Sequence, residues 1–160
     1  APIIDHNRHD IVALAALLGA LVDSYENKHQ NQDARDQISL AHVAVRAHDH
    51  DHAGVLAQEA ADNESDAEVS AEAWVLLARL HRRRKDFPAA VEALQQGLSL
   101  VENDDDKAPH VHLMLAKIYE HDLKDYAAAL RHAAYTASAE GDELSRRRAT
   151  RLKNRCSRPA

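Results

Sequence analysis

The chain has 160 residues, of which 45% are apolar but only 4% aromatic, and its 26 acidic and 20 basic residues give a net charge of −6 at pH 7. This length suffices for one domain with a core, and abundant alanine with few glycines and prolines favours helices over a sheet. The single cysteine excludes an internal disulfide, and the acidic balance argues against a general affinity for nucleic acid.

The first predicted element is a long helix from about Arg8 to Lys28. Its apolar residues recur at i, i+3, i+4 and i+7 and spread beyond one face, so we expect other parts of the protein to cover it. The apolar run over residues 11–22 is shorter than the roughly 20 residues that span a bilayer, and it lacks a basic leader. Together with the lone cysteine, this predicts a cytoplasmic protein that does not enter a membrane.

Two shorter helices are predicted next, over Ala34–Ala47 and Ala53–Ala61, with the polar sequence HDHDH between them. In an extended turn, alternate side chains share a side. His48, His50 and His52 could then bind Zn²⁺ or Ni²⁺ together, since imidazole is a usual ligand of both metals. A solvated turn is the alternative, because no second cluster of ligands completes the site.

Two copies of one pattern follow, at residues 71–101 and 110–139, each a helix, a short turn and a second helix. The copies match at Lys85 with Lys124 and Asp86 with Asp125, 39 residues apart, and at Leu77 with Leu115, 38 residues apart. We therefore place the additional residue in the second turn. Internal repetition at this period, with small alanines where two helices must approach closely, predicts stacked helical hairpins.

The repeated positions resemble the tetratricopeptide-repeat family. Residues at or near its consensus spacing are Trp74, Leu77, Ala78, Phe87, Ala90 and Leu94 in the first copy, and Leu115, Ala116, Tyr119, Tyr126 and Ala129 in the second. The resemblance covers residues 71–139, and a third, degenerate hairpin is expected at 34–62. It implies an all-α fold, in which antiparallel hairpins stack into a right-handed superhelix.

A protein of this kind is expected to be an interaction scaffold that holds a protein or peptide on its concave face. The polar side chains predicted to line that face are Arg79, His81, His112 and Lys117. The chain then divides into an N-terminal helix (1–30), the repeats (31–142) and a basic C-terminal helix or tail (143–160). Its oligomeric state is left open.

The segment HNRHD, residues 6–10, resembles the last motif of RNase-H-like DEDD exonucleases. More narrowly, it is similar to the predicted bacterial exonuclease domains of the YprB type, in which such a segment opens the final helix and tetratricopeptide-like repeats can follow. The resemblance implies that Asp10 is a ligand of a divalent metal, Mg²⁺ or Mn²⁺, and that His6 lies near the attacking water. Residues four apart on a helix do share one face.

The earlier acidic motifs of those nucleases are absent from the 160 residues. One aspartate cannot hold two metals, so the chain alone is expected to bind no cofactor and to have no catalytic activity. We expect it to be the C-terminal part of a larger RNase-H-like nuclease. Two alternatives stay open: an exonuclease fragment that is inactive on its own, or a helix start at which Asp5 or Asn7 is merely a cap.

The basic C-terminal segment, residues 146–158, carries seven basic residues and no acidic one, which leaves 13 basic and 26 acidic residues elsewhere. A further alternative is that the chain is a helical array that binds nucleic acid through this segment. The residues predicted to contact nucleic acid are then Arg146, Arg147, Arg148, Arg151, Lys153 and Arg155. No aromatic residues are interleaved, although binding of single strands usually needs them. A solvated tail, or one that lies on the acidic body, is the alternative.

Overall fold

The computed structural model describes residues 2–26, 33–63 and 66–157, with side chains described from residue 9 to 23 in the first range. Every element in these ranges is helical, which confirms the predicted all-α class. The elements are α1 (Pro2–Glu26), α2 (Ala34–Arg46), α3 (His50–Ala61), α4 (Ala67–Arg83), α5 (Phe87–Val101), α6 (Lys107–Lys117), a π-helical turn (Ile118–Leu123), α7 (Tyr126–Ala133), α8 (Ala137–Glu140) and α9 (Asp142–Cys156). The chain forms two units, residues 1–32 and 33–160.

The first unit consists, in its described part, of α1 alone. The helix begins at Pro2, so the HNRHD segment lies inside it and not at its start. Its apolar side chains are exposed, among them Ile11 (69%), Leu14 (72%) and Leu18 (63%). The prediction that other parts of the protein cover this helix stays a prediction. In the ranges that the structure describes, no helix combines the length and the apolar character needed to cross a bilayer.

The second unit contains three helical hairpins, α2–α3, α4–α5 and α6–α7, and so includes the degenerate one expected at 34–62. A left-handed residue ends the first helix of each hairpin: His48 (φ 63°), Lys85 (φ 62°) and Lys124 (φ 60°). An aspartate follows each, and its carboxylate accepts a hydrogen bond from the backbone N–H three residues on: Asp49 from His52, Asp86 from Ala89, and Asp125 from Ala128. This pair of residues reverses the chain and starts the next helix.

The second copy has one residue more than the first, between Leu115 and Lys124. This additional residue lies in the π-helical turn, Ile118–Leu123, and not in the loop that follows. Our placement of it in the second turn was wrong for a physical reason. The turn itself has a fixed geometry, a left-handed Lys124 and a capping Asp125, so it cannot lengthen. The helix absorbs the residue instead, because a π turn holds one more residue than an α turn.

Small side chains bring the helices of each hairpin together. Alanines that face the partner helix are wholly buried, for example Ala57 in α3, Ala73 in α4 and Ala90 in α5. The closest approach is at Gly97 of α5, where an added Cβ would lie 3.2 Å from the Cβ of Trp74 on α4. The core is therefore aliphatic and shallow, as the composition predicted.

The stack ends in α9, which packs on the last hairpin. Leu152 is fully buried against Ala129 and Ala133 of α7. The long helix predicted to run to residue 139 is interrupted after Ala133, and Gly141 (φ 87°) joins α8 to α9. The basic segment is thus an ordered helix over the described residues up to Cys156 and not a solvated tail.

Candidate functional site

A groove of about 450 Å³ runs between α4 and α6, the first helices of two consecutive hairpins. Its apolar part is formed by Val75 on α4, with Val111, Leu113 and Met114 on α6. The remaining lining residues are Glu68, Ala71, Glu72, Arg79, Val101, Lys107, His110 and Lys117. An apolar floor with charged rims is the usual composition of a binding site.

The charges of this groove are unequally satisfied along its length. At one end, Lys107 donates to Glu68 across 2.6 Å, and Glu72 lies 2.9 Å from the Nε2 of His42 on α2. Arg79 lies 11 positions beyond Glu68, about 16 Å along the helix. At the opposite end from Glu68, Arg79 and Lys117 line the groove, and neither has an ion-pair partner within the described ranges. The groove thus presents two cations without a direct ion pair beside an apolar surface, although the charge of Lys117 also acts on Glu140 and helps to lower the pKa of that carboxyl.

Of the four residues predicted to bind a partner, the structure brings Arg79 and Lys117 together in this groove. His81 lies in a different groove, between α3 and α4, beside Asp51 and Arg84. His112 points towards α7. His81 and His112 are predicted to line the concave face only because they are polar. His81 comes two positions after Arg79, and two positions along a helix rotate a side chain by about 200°, onto the opposite face.

Val75 and Met114 belong to the groove but are not among the residues that the sequence predicts to bind a partner. Val75 lies four residues before Arg79, and Met114 lies three residues before Lys117. Helical phase places each on the same face as its basic neighbour. That spacing was the available signal for the apolar part of the site.

A cluster of four rings joins α6, the π-helical turn and the segment that follows α7. The Nδ1 atoms of His112 and His132 are 2.9 Å apart. Tyr135 stacks on His112 with ring centroids 4.6 Å apart, and Tyr119 stacks on His132 at 5.7 Å. Burial, the neighbouring imidazole and the charge of Arg131 lower the pKa of His132 to about 4. Burial also lowers the pKa of His112, although the charge of Glu102 opposes this.

The predicted metal site at His48, His50 and His52 does not form. Its premise was an extended segment, whereas Asp49 caps α3 and the two later histidines lie in the first helical turn. The ring centroids of His48 and His50 are 6.1 Å apart in an edge-to-face contact. Across residues 9–23, 33–63 and 66–157, no three His, Cys, Asp or Glu side chains are placed to share a metal ion.

The residues proposed from the nuclease resemblance lie on α1. The side chain of His6 is outside the described residues, and Asp10 is exposed. Both positions fall within one continuous helix, so the expected spacing along one face holds for the backbone. No metal-binding group that includes Asp10 exists among the side chains that the structure describes.

Two arginines of the basic helix are held by carboxylates of the repeat body. Arg148 donates to Glu120 at 2.9 Å and to Glu140 at 2.8 Å, and Arg151 donates to Glu120 at 2.8 Å. Glu120 and Glu140 are nearly inaccessible, with side chains 7% and 8% exposed. Burial raises the pKa of Glu120, but the hydrogen bonds and charges of the two arginines outweigh it, so this pKa lies below its usual value. The hydrogen bond from Arg148 also lowers the pKa of Glu140.

The remaining basic side chains of α9 make no ion pair with the repeat body, and Arg146 and Arg147 lie on an exposed face of the helix, which we call its outer face. Arg147 pairs only with Glu143 of the same helix, and Arg155 donates to the hydroxyl of Tyr126 at 3.1 Å. Arg146 and Lys153 are exposed. The outer face carries a shallow depression of about 610 Å³ that is lined by Glu143, Arg146, Arg147, Thr150, Arg151, Asn154 and Arg155.

Comparison with solved structures places the chain among tetratricopeptide-like helical repeats. A chain in the crystal structure of the APC/C hetero-tetramer Cut9-Hcn1, a tetratricopeptide-repeat protein, matches with a TM-score of 0.62 and 26% sequence identity. The match covers 77% of this chain and 24% of that one, so this chain spans about a quarter of the matched protein. No protein-family model matches the chain, and no curated protein matches it in sequence. The fold is a stack of tetratricopeptide-like hairpins, as the repeated positions indicated.

Proposed function

We propose that the chain is a protein-interaction scaffold and that the groove between α4 and α6 holds a segment of its partner. The observation that carries this proposal is a pair of cations, Arg79 and Lys117, that make no direct ion pair in the described ranges and lie beside the apolar surface of Val75 and Met114. The partner segment would insert an aliphatic side chain between the helices and place a carboxylate near the two cations. The similarity to a tetratricopeptide-repeat structure supports a protein as the class of partner.

The chemistry of the groove supports an acidic and apolar segment over a basic one. The carboxylates of Glu68 and Glu72 are already engaged by Lys107 and His42. A basic partner would compete with these contacts, whereas an acidic one meets two cations whose desolvation it offsets. The volume of about 450 Å³ accommodates one or two side chains and not a folded domain.

A panel of acetylated hexapeptides with one leucine and two glutamates at varied spacing provides the probe. Fluorescence anisotropy with the full chain should detect binding of some members, and replacing their glutamates by glutamine should weaken it at least tenfold. The double variant Arg79→Ala/Lys117→Ala should lose the same factor. The control Arg46→Ala/Arg83→Ala removes two exposed cations outside the groove and should bind normally. Equal loss in both variants, or no preference for the acidic peptides, would refute the proposal.

We further propose that the chain forms the C-terminal region of a larger RNase-H-like nuclease. What supports this is the order of its parts: HNRHD in the first helix, then tetratricopeptide-like hairpins. In that setting Asp10 would supply one ligand of a divalent metal, Mg²⁺ or Mn²⁺, with His6 near it, while the other ligands come from preceding sequence. Sequencing the gene upstream is the test. Two acidic motifs in a β-rich segment are expected, and a start codon directly before residue 1 would contradict the proposal.

A further inference from the structure

We propose that the outer face of α9 is a docking surface for the phosphate backbone of double-stranded nucleic acid. The cations proposed to bind phosphate are Arg146, Arg147 and Arg155, with Thr150 and Asn154 between them, and Glu143 and Arg151 complete the lining of the surface. It is separate from the peptide groove, which is formed by α4 and α6.

The arginines of α9 fall into two sets with different tasks. Arg148 and Arg151 bind carboxylates of the repeat body, and the side chain of Arg148 is only 11% exposed. They therefore anchor the helix. Arg147 meets only an exposed glutamate one turn away, Glu143, a pairing that contributes little and can be exchanged for a phosphate. Arg155 lies over the ring of Tyr126, 5.3 Å from its centroid, which holds that guanidinium in place.

The composition of the face favours nucleic acid over an acidic protein. Its lining contains no aliphatic or aromatic side chain. A protein interface needs an apolar centre that expels water, whereas backbone contacts to nucleic acid are made by guanidinium, hydroxyl and amide groups. Guanidinium groups also match the oxygens of a phosphate in pairs. The same lack of aromatic side chains leaves nothing on which unpaired bases can stack, so a duplex is the expected form.

The acidic repeats limit how the duplex can approach. Outside residues 146–158 the chain carries 13 basic and 26 acidic residues, which repel a polyanion. Contact is thereby confined to α9, and about three phosphates would be neutralised. The affinity should consequently be modest, independent of base sequence and strongly dependent on salt.

Fluorescence anisotropy of a labelled 20-base-pair DNA duplex with the full chain tests this proposal. For three phosphate contacts, the slope of log K against log salt concentration should be near −2.7, which is roughly a 40-fold loss between 50 and 200 mM salt. The variant Arg146→Gln/Arg147→Gln/Arg155→Gln should bind at least tenfold more weakly at 50 mM salt and with a slope near zero. Its thermal unfolding should change little, because of the three side chains only Arg155 contacts the repeat body, through the exposed interaction with Tyr126.

The control Arg46→Gln/Arg83→Gln/Arg131→Gln removes the same charge from exposed positions on the hairpins. It should keep most of the duplex affinity, and an equal loss would show that net charge alone is responsible and overturn the proposal. A polyglutamate peptide of matched charge should compete poorly; competition as effective as that of unlabelled duplex would overturn the choice of nucleic acid. The absence of duplex binding by the unmodified chain at 50 mM salt would also overturn it.

Discussion

The Nδ1 atoms of His112 on α6 and His132 on α7 lie 2.9 Å apart, a hydrogen bond that joins the two helices of the third hairpin. Such a bond needs one ring to donate and the other to accept. The pair can hold one proton between its Nδ1 atoms but not two, because two facing N–H groups repel each other. The contact is therefore compatible with neutral imidazoles and is lost when both rings become charged.

Acidification should destabilise the fold through this pair. The unfolded imidazoles bind protons with a pKa near 6.5, while the folded pKa of His132 is about 4. The stabilisation is thus complete above pH 6.5 and declines as the pH falls towards 4. Because His132 is half-exposed and screened by solvent, we expect a loss of about 1 kcal/mol between pH 7 and pH 5.

Denaturant unfolding of the chain and of His132→Phe, measured from pH 7 to pH 5, isolates the contribution of His132 protonation to stability. The phenylalanine keeps a flat ring beside Tyr119 but binds no proton. The free energy of unfolding of the variant should therefore fall by about 1 kcal/mol less between pH 7 and pH 5 than that of the unmodified chain. Identical curves between pH 7 and pH 5 would contradict the assignment.

Removing the guanidinium of Arg148 should be costly. Arg148→Met leaves Glu140 buried without its ion-pair partner, with the hydroxyl of Thr136 still donating to it, and removes one of the two arginines that bind Glu120. Uncompensated buried charges of this kind cost about 3 kcal/mol. The matched control is Arg147→Met, which removes only the exposed pairing with Glu143 and should change stability by no more than about 0.5 kcal/mol. Similar melting temperatures for the two variants would show that the buried carboxylates are hydrated and do not depend on Arg148.

Two glycines inside helices should respond oppositely to alanine. At Gly54 of α3 an added Cβ meets no atom within 4 Å, so Gly54→Ala should stabilise the chain by about 0.5 to 1 kcal/mol through helix propensity. At Gly97 of α5 the Cβ would press on Trp74 and on the carbonyl oxygen of Ala71, at 3.2 and 3.4 Å. Gly97→Ala should be net destabilising, because the two helices must separate. A gain in melting temperature for both variants would refute the close approach.

The hairpin turns offer a further test. Lys85 holds a φ of 62°, a conformation that costs a non-glycine residue about 1 kcal/mol, so Lys85→Gly should raise stability by nearly that amount. Asp86→Ala removes the cap of α5 and should lower it by about 1 kcal/mol. Chemical denaturation of both variants checks the pair, and a destabilising Lys85→Gly would mean that the lysine side chain has a role beyond the turn.

The hairpins were predictable because their turns depend on local chemistry. The repeated Lys85-Asp86 and Lys124-Asp125 pairs are visible in the sequence, and each fixes a left-handed residue and a cap. His48-Asp49 forms the same turn and cap, with a histidine in the left-handed position instead of a lysine. Its neighbouring histidines, however, suggested a metal site. Since a capped turn begins a helix at once, the extended geometry which that site needed cannot form there.

The charged parts were harder to predict because their partners are distant in sequence. Arg148 and Arg151 were visible as members of a basic run, yet Glu120 lies 28 and 31 positions earlier. Only the packing of α9 on the last hairpin shows which cations are anchors. For the groove, Arg79 and Lys117 are predicted from their polarity, while Val75 and Met114 are not predicted, because an apolar residue on a helix is usually taken as core.

The π-helical turn at Ile118–Leu123 has a consequence for how such arrays change over time. A gene that gains or loses one codon in a rigid helix would normally rotate everything beyond it out of register. Here the π-helical turn accommodates the additional residue. The loop, the capping Asp125 and α7 keep the positions that their counterparts have in the preceding hairpin. Copies of different length can therefore coexist in one array without a change in how their hairpins pack.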